Sequence, residues 1–281
     1  MDCGKQFQNQ RRVNRLKSKI WQDHIWRRQT VRDLVQTYNR SERTIRTILD
    51  RALVRPTTVI RPQSVVGIFD ATHLGSDTLL VARAPTLGIN LAWSWIESET
   101  KDNYARLKAS IEARGFTFTA VVLDGRTGIP RVFEALPVQI CQFHQLQIVR
   151  RKLTLRPETK AGQELLSLVF TLAKTDEATF TRELNAWFLT YQSFLYERTY
   201  TIGNIHWHYT HARVFSAYSS LKRNRPYLFT YLKYPELKIP NTTNSLDGYW
   251  SRLKNLLTAH RGKSKQRIRK MAKEILRKQT A

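Results

Sequence analysis

Residues 64–95 read SVVGIFDATHLGSDTLLVARAPTLGINLAWSW, and this stretch decides the fold class. It contains three short runs rich in β-branched and aromatic residues, at Ser64–Asp70, Thr78–Arg83 and Gly88–Trp95. Glycine, serine, aspartate and proline separate the runs, as is typical of turns between strands. The pattern therefore predicts the three strands of an antiparallel meander.

Helices and strands alternate after the meander. The predicted elements, in chain order, are helix Asp102–Arg114, strand Ala120–Leu123, helix Ile129–Ala135, strand Val138–Gln142 and a helix that begins near His144. The apolar residues of the first of these helices recur at helical spacing, whereas the strand that follows it is wholly apolar. The order β-β-β-α-β-α-β-α predicts an α/β fold with a mixed sheet of the ribonuclease-H-like type.

The charge of the chain is concentrated at its two ends. The net charge is +25, and residues 1–62 hold 15 Lys and Arg against 5 Asp and Glu. Residues 250–281 hold 11 against 1, whereas residues 63–249 hold 21 against 16. Basic ends on a folded body favour a polyanionic partner, because each neutralised phosphate releases condensed counterions. Association with a ribosome and a general effect on solubility are the alternatives to DNA binding.

A helical pattern precedes the meander. Apolar residues recur at helical spacing over 30–38 and again after Ser41, which can cap the next helix. Together with a helix around Ile20–Trp26, they predict an all-α helix-turn-helix at residues 15–55. The side chains expected to contact DNA there are Arg40, Arg43, Thr44 and Arg46. The alternative is an ordinary three-helix bundle with solvated arginines.

The remaining domain boundaries follow from composition. We expect residues 1–14 to be unstructured and residues 56–63, which include two prolines, to be a linker. Residues 64–281 form the predicted ribonuclease-H-like domain, with an all-α insertion at about 150–240. No apolar run reaches the ~20 residues that span a bilayer, so we expect no membrane contact and a cytoplasmic protein. The two cysteines, Cys3 and Cys141, predict no disulfide.

Two aspartates each follow an apolar strand. Asp70 ends the run GIFD, and Asp124 ends the run VVLD. The first and fourth strands of a mixed sheet can be neighbours, so these carboxylates can meet at one edge and bind divalent cations. The alternative is that each aspartate only caps a turn. A third acid, Asp247, lies in NTTNSLDGYWSRLK and could instead be a favourable charge in the first turn of a helix.

Four sequence elements carry a resemblance to a known family. They are FDATH, LDG, the Cys141–His144 element CQFH and the segment NTTNSLDGYWSRLK. In order and spacing they resemble the Mutator-type bacterial insertion-sequence transposases of the DDE/D superfamily, in the variant with a zinc ribbon and a helix-turn-helix. The likeness covers nearly the whole chain.

The resemblance implies specific roles for these residues. Asp70, Asp124 and Asp247 correspond to the catalytic acids that hold two Mg²⁺ (or Mn²⁺) ions. Cys141 and Asn244 would support the site. His144 would contact a DNA phosphate, and the alternative is that Cys141 and His144 are a packed cysteine and a hydrogen-bonded histidine without a role in the site. From their positions rather than from the resemblance, we expect Arg126 and Arg252, beside the candidate acids, and Lys254, in the basic C-terminal stretch, to contact DNA as well. A solvated surface is the alternative for that stretch. The resemblance further implies a homodimer or higher oligomer on DNA, in the cytoplasm at a bacterial or archaeal nucleoid.

Two departures from the family pattern are visible. The family usually has Glu where this chain has Asp247, which is one methylene shorter. Residues 1–14 resemble a remnant of the ribbon in which only Cys3 stands, and a structural zinc needs four ligands, so we expect no zinc. A DNA-binding repressor that derives from a decayed transposase, or a resolvase-type nuclease, is therefore an alternative.

Overall fold

The computed structural model of the protein describes residues 7–54, 61–200, 206–259 and 263–277. These residues fall into two compact units. The first unit comprises residues 1–61, 88–90 and 247–281, and the second comprises residues 62–87 and 91–246. No helix of the described ranges combines the length and the apolar character that a membrane span requires.

The first unit contains three N-terminal helices, α1 (Phe7–Trp26), α2 (Val31–Tyr38) and α3 (Glu42–Arg51). Thr30 and Asp33 form a capping box at the start of α2, and the Ser41 hydroxyl caps α3 by accepting the Thr44 N–H. The predicted Ser41 cap is thus confirmed. Residues 7–14, which we expected to be unstructured, belong to α1, whereas Cys3 lies outside the described residues.

Two C-terminal helices, α10 (Asn244–Thr258) and α11 (Lys265–Arg277), carry the basic end of the chain. Within the first unit, the apolar residues Met271, Ile275 and Leu276 of α11 are buried. Arg267 of α11 also pairs with Asp50 of α3 through its Nε atom at 3.0 Å. One face of this basic helix is therefore occupied by contacts within the protein.

The second unit contains nearly all of a mixed sheet of five strands; only Ile89 and Asn90, at the start of the third strand, are assigned to the first unit. The five strands are β1 (Ser64–Leu74), β2 (Asp77–Ala84), β3 (Ile89–Ile96), β4 (Thr117–Leu123) and β5 (Val138–Ile140). Their order across the sheet is β3-β2-β1-β4-β5. β1 is antiparallel to β2 and parallel to β4, and β4 is parallel to β5. The predicted α/β class and the predicted adjacency of the first and fourth strands are thereby confirmed.

Helices connect the parallel strands. α4 (Lys101–Glu112) leads into β4, and α5 (Gln142–Leu153) follows β5. The predicted helix at 129–135 is a 3-10 helix, Ile129–Phe133, rather than an α-helix. Its Phe133 ring packs against Phe69 of β1 at a centroid distance of 4.8 Å, so the short helix closes the core beside the centre of the sheet.

Residues between α5 and α10 form a helical layer. It contains α6 (Lys160–Phe170), α7 (Glu177–Tyr196), α8 (Ala212–Asn224) and α9 (Thr230–Lys233). Leu165, Phe180, Leu221 and Phe229 lie in its fully buried core. The prediction of an all-α insertion is wrong in one respect, because β6 (Arg198–Tyr200) and β7 (Trp207–Tyr209) form an antiparallel pair. Aromatic packing of Tyr209 on Phe215 at 4.3 Å holds this pair against α8.

Candidate active site

Asp70 and Asp124 lie on the two central strands of the sheet. The parallel pairing of β1 with β4 runs as far as Ile68 opposite Val122. Each aspartate lies two residues beyond that last pair. The two residues are therefore on adjacent strands and at the same end of the sheet. The structure therefore brings together the two carboxylates that the sequence singled out, although they are 54 residues apart in the chain.

The surroundings of Asp70 differ from the sequence prediction. We expected β1 to end at Asp70, but the strand continues to Leu74, because β2 pairs with it in register from Asp77 onward. Asp70 is opposite Val81 in this ladder and is only 5% exposed. A carboxylate inside a strand at this depth loses most of its hydration, so a nearby positive charge or hydrogen-bond donors must offset the loss.

Asp124 begins a loop that has an unusual backbone. Gly125 and Gly128 adopt φ angles of +86° and +83°, which L-residues with side chains rarely adopt. A Cβ atom on Gly125 would lie 2.9 Å from Ile140 Cγ2, so only glycine fits between this loop and β5. The Asp124 Oδ1 atom accepts the Arg126 N–H at 3.0 Å. This contact also fits the simpler interpretation of Asp124 as a turn-capping residue.

Glu99 joins these acids in a way that the sequence analysis missed. The Arg126 guanidinium lies 2.9 Å from Glu99 Oε1, and the Glu99 side chain is only 9% exposed. Burial and the negative charge of Asp124 raise the pKa of Glu99, whereas Arg126 acts in the opposite direction. Tyr104 donates to Glu99 at 3.2 Å. Its pKa is raised by burial and by the charges of Asp124, Glu99 and Asp70.

His144 adds a positive charge to the same surroundings. Cys141 caps α5, with its Sγ accepting the His144 N–H at 3.5 Å and the Thr243 N–H at 3.3 Å. The Thr243 hydroxyl lies 3.2 Å from His144 Nδ1. Burial alone would lower the pKa of His144, but Cys141, Asp70 and Asp124 together raise it to about 9. The contact with Cys141 and the two nearby aspartates therefore favour the protonated form of His144.

The Cys141 thiol is a packed, hydrogen-bonded group. It is fully buried. Burial raises its pKa, but hydrogen bonds from His144 and Thr243 outweigh burial and lower it. Thr243, which orients both Cys141 and His144, is a further residue that the sequence analysis did not single out. Its position 102 residues from Cys141 left no local signal to find it by.

The predicted residues of α10 are placed as follows. Asn244 is the first residue of the helix and is exposed, and Asp247 lies in the first turn. Arg252 and Lys254 are exposed farther along the helix, and the Arg252 guanidinium lies 6.0 Å from the Trp26 ring of the first unit. Asp247 belongs to the first unit, and Asp70 and Asp124 belong to the second. Its convergence with them stays a prediction.

The predicted DNA-contacting residues of the N-terminal helices are all exposed. Arg40 lies just before the cap of α3, and Arg43, Thr44 and Arg46 lie on its first turns. Arg46 pairs with Glu42 on the same helix at 2.6 Å. Ile45 and Leu49 occupy the opposite, buried face. The helix therefore has one side in the core of its unit and an opposite, exposed side that carries Arg43 and Arg46.

The oxygen ligands at Asp70 and Asp124 fit a small divalent cation. Mg²⁺ is usually bound through one or two carboxylates and completes its octahedron with water and substrate phosphate oxygens. In the part of the chain that the structure describes, no group of three or more His, Cys, Asp and Glu is arranged to hold a metal. Two carboxylates on adjacent strands are oxygen donors of the type that Mg²⁺ prefers, whereas zinc sites are typically built from cysteine and histidine.

Comparison with known proteins gives no assignment. No protein-family model matches the sequence, and no curated protein matches it significantly.

Proposed function

We propose that this chain is a DNA transposase of the DDE/D type. It binds the terminal inverted repeats of a mobile element, cleaves a phosphodiester bond at their ends and joins the freed 3′-hydroxyl to target DNA. The observation that carries the proposal is the pair Asp70 and Asp124, which lie at the same edge of adjacent parallel strands with His144 and Arg126 nearby.

The strand order supports the choice of fold. A meander in which β1 is central, followed by parallel strands β4 and β5 on the other side of β1, is compatible with a ribonuclease-H-like sheet. In such a mixed sheet the ends of the two central strands form one shallow edge. Asp124 is half-buried at that end of the sheet, whereas Asp70 is buried beside it, so a phosphodiester backbone would approach the pair from the side of Asp124.

The chemistry that we assign to the site requires divalent cations. Asp70 and Asp124 would hold two Mg²⁺ (or Mn²⁺) ions, and the role of Asp247 as the third ligand rests on the sequence resemblance. When bound, such ions activate the attacking oxygen and stabilise the leaving oxygen of a phosphoryl displacement. The His144 imidazolium and the Arg126 guanidinium are cations that can orient a phosphate there. Glu99 fixes the position of Arg126.

The proposal assigns sequence recognition to the N-terminal helices. α1 to α3 would act as a helix-turn-helix in which α3 enters the major groove with Arg43, Thr44 and Arg46. Arg252 and Lys254 of α10 would contact the backbone of the same DNA. Assembly as a homodimer or higher oligomer on paired ends, in the cytoplasm, is part of the proposal.

A second candidate is a DNA-binding repressor without catalytic activity. It is favoured by the absence of a three-ligand group in the described ranges, and by the turn-capping contact of Asp124. A resolvase-type nuclease, which cuts without joining, is the third.

A supercoiled plasmid that carries the terminal repeats separates the three functions. Mg²⁺-dependent nicking at the repeat ends, together with joined products, supports transposition. Nicking without joining identifies a resolvase-type nuclease, and DNA that is bound but never cut identifies a repressor. A plasmid with scrambled repeats is the matched control, because non-specific nicking affects both plasmids equally.

A further inference from the structure

A basic cavity lies beside the loop that begins at Asp124. Its volume is about 380 Å³, and it lies wholly within the second unit. Four cationic side chains line it, and no carboxylate does; they are Lys101, Arg126, Arg131 and Arg223. A concave surface with charges of one sign focuses the electrostatic potential, so the cavity attracts anions more strongly than a flat basic surface would.

Most of this charge is not neutralised within the protein. Arg126 is paired with Glu99, 2.9 Å away. Lys101, Arg131 and Arg223 form no ion pair with any described carboxylate. Three exposed cations around one small concave site repel each other unless an anion binds between them. Phosphate groups are the anions that arginine recognises best, because its planar fork matches two phosphate oxygens.

The cavity also has an apolar wall. Tyr227 and Pro130 line it beside the cations. One part of the Tyr227 side chain packs against the helical core, so the ring is held in place rather than free to rotate into solvent. A fixed aromatic ring next to phosphate-binding arginines is the arrangement by which proteins bind unpaired bases of a single strand. The cavity volume is at the small end of the range for ligand sites and suits a group the size of one nucleotide.

The cavity and the candidate active site share one loop. Asp124, Arg126 and Gly128 lie within five residues, and Gly128 allows the Lys101 side chain to approach, since a Cβ there would lie 2.7 Å from Lys101 Cε. This loop follows the carboxyl end of β4, where ligands of parallel strands commonly bind. A nucleotide bound in the cavity would therefore lie beside the loop that begins at Asp124.

We propose that this cavity binds one unpaired nucleotide of a DNA strand, next to the phosphodiester that is placed at Asp70 and Asp124. The placement of that phosphodiester rests on the proposed function. The arginines and Lys101 hold the phosphates of the strand, and Tyr227 stacks on the base. A free nucleotide has the same chemistry as a nucleotide within a strand, so the test distinguishes the two sources.

The test measures binding of a short fluorescent single-stranded oligonucleotide to the full chain by anisotropy, in EDTA, over a range of salt concentrations. The double variant Arg131→Ala/Arg223→Ala is compared with Lys174→Ala/Arg182→Ala, which removes two exposed charges from the helical layer of the same unit. We expect the first to bind at least about tenfold more weakly, and its salt slope to fall by about 1.4, or about 0.7 per lost phosphate contact. The second binds like the unmodified chain.

The aromatic contact has its own comparison. Tyr227→Ala weakens binding of the single strand by about fivefold or more, whereas Tyr227→Phe retains it, because stacking needs the ring and not the hydroxyl. The assignment would be overturned if the cavity double variant and its control lost the same affinity for the single strand. It would also be overturned if the unmodified chain and all the variants bound the single strand equally well. A nucleoside monophosphate that binds as tightly as the oligonucleotide would overturn it as well, since the site would then serve a free nucleotide. Because no metal is present, this binding result is independent of whether the chain cleaves DNA.

Discussion

Asn224 is the residue whose contacts link the helical layer to the Asp124 loop. Its Nδ2 atom donates to Gln145 Oε1 at 2.7 Å and lies 3.5 Å from the Gly125 carbonyl oxygen. Asn224→Leu leaves the buried Gln145 oxygen without this donor, so we expect the free energy of unfolding to fall by about 1–3 kcal/mol. Urea titration measures the loss. The control is Asn185→Leu, on the exposed face of α7, which should change the free energy of unfolding by no more than about 0.5 kcal/mol. Equal losses of stability in the two variants would contradict the account.

His24 should make stability depend on pH. It is 2% exposed, and its Nδ1 lies 2.8 Å from the Gln29 carbonyl oxygen. Burial, aided by Lys263 and Arg267, lowers the pKa of His24 to about 4, against the opposing bond to Gln29. His24 of the unfolded chain binds a proton near pH 6.5, whereas His24 of the folded chain binds one only near pH 4. The free energy of unfolding is therefore highest above about pH 6.5 and decreases as the pH falls toward 4.

The expected size of this effect is about 3 kcal/mol, because each unit of pKa shift corresponds to about 1.4 kcal/mol. Urea titrations at several pH values should show that His24→Asn, which keeps a donor but does not titrate, is less stable than the unmodified chain at pH 7 and loses less stability on acidification. Parallel pH profiles for the two proteins would show that His24 does not titrate as described.

At the scale of elements, α3 is the segment expected to read DNA. Arg43 is exposed on its first turn, opposite the buried Ile45 and Leu49. Arg43→Ala should weaken binding of a duplex that carries the terminal repeat by about tenfold, since one lost base or phosphate contact is worth about 1–3 kcal/mol. Anisotropy with the repeat duplex measures this. Arg182→Ala on α7 serves as the control, and an unchanged affinity for Arg43→Ala would remove α3 as the recognition helix.

Most elements were predictable from local pattern, and the exceptions have physical causes. The strands β1 to β4 and the helix α4 have apolar patterns that extend over many residues, so they were found, as was the Ser41 cap of α3. β5 has only three residues, but all of them are buried. The equally short β6 and β7 are mostly exposed and lack such a buried run, so they were missed. The end of β1 was misplaced because pairing with β2, and not the aspartate, decides where the strand stops.

The candidate site was only partly predictable, because it depends on contacts across the whole second unit. Asp70 and Asp124 stood out because each follows an apolar strand. Glu99 did not, since its contact with Arg126 depends on how the segment before α4 folds against the loop that begins at Asp124, and the two residues are 27 positions apart. Thr243 is more distant still from Cys141. Local pattern can single out an acid beside an apolar run, but it cannot identify which distant side chains surround that acid.

At the scale of the whole molecule, the distribution of charge agrees with the roles that we propose, which are DNA binding by the chain ends and catalysis by the middle of the chain. The basic excess at the two chain ends, where α1 to α3, α10 and α11 lie, suits DNA binding. The nearly balanced middle holds the mixed sheet and its carboxylates. The charge of the chain favours a polyanionic partner, and the sheet topology places two acids on neighbouring strands.

The central claim is that Asp70 and Asp124 together bind the cation that cleaves DNA. The most direct measurement is Mg²⁺-dependent nicking of the repeat-bearing plasmid by Asp124→Asn, with Asp102→Asn on the exposed first turn of α4 as the matched control. We expect Asp124→Asn to bind the repeats normally but to nick no faster than a metal-free reaction, whereas Asp102→Asn nicks like the unmodified chain. Undiminished nicking by Asp124→Asn would contradict the account.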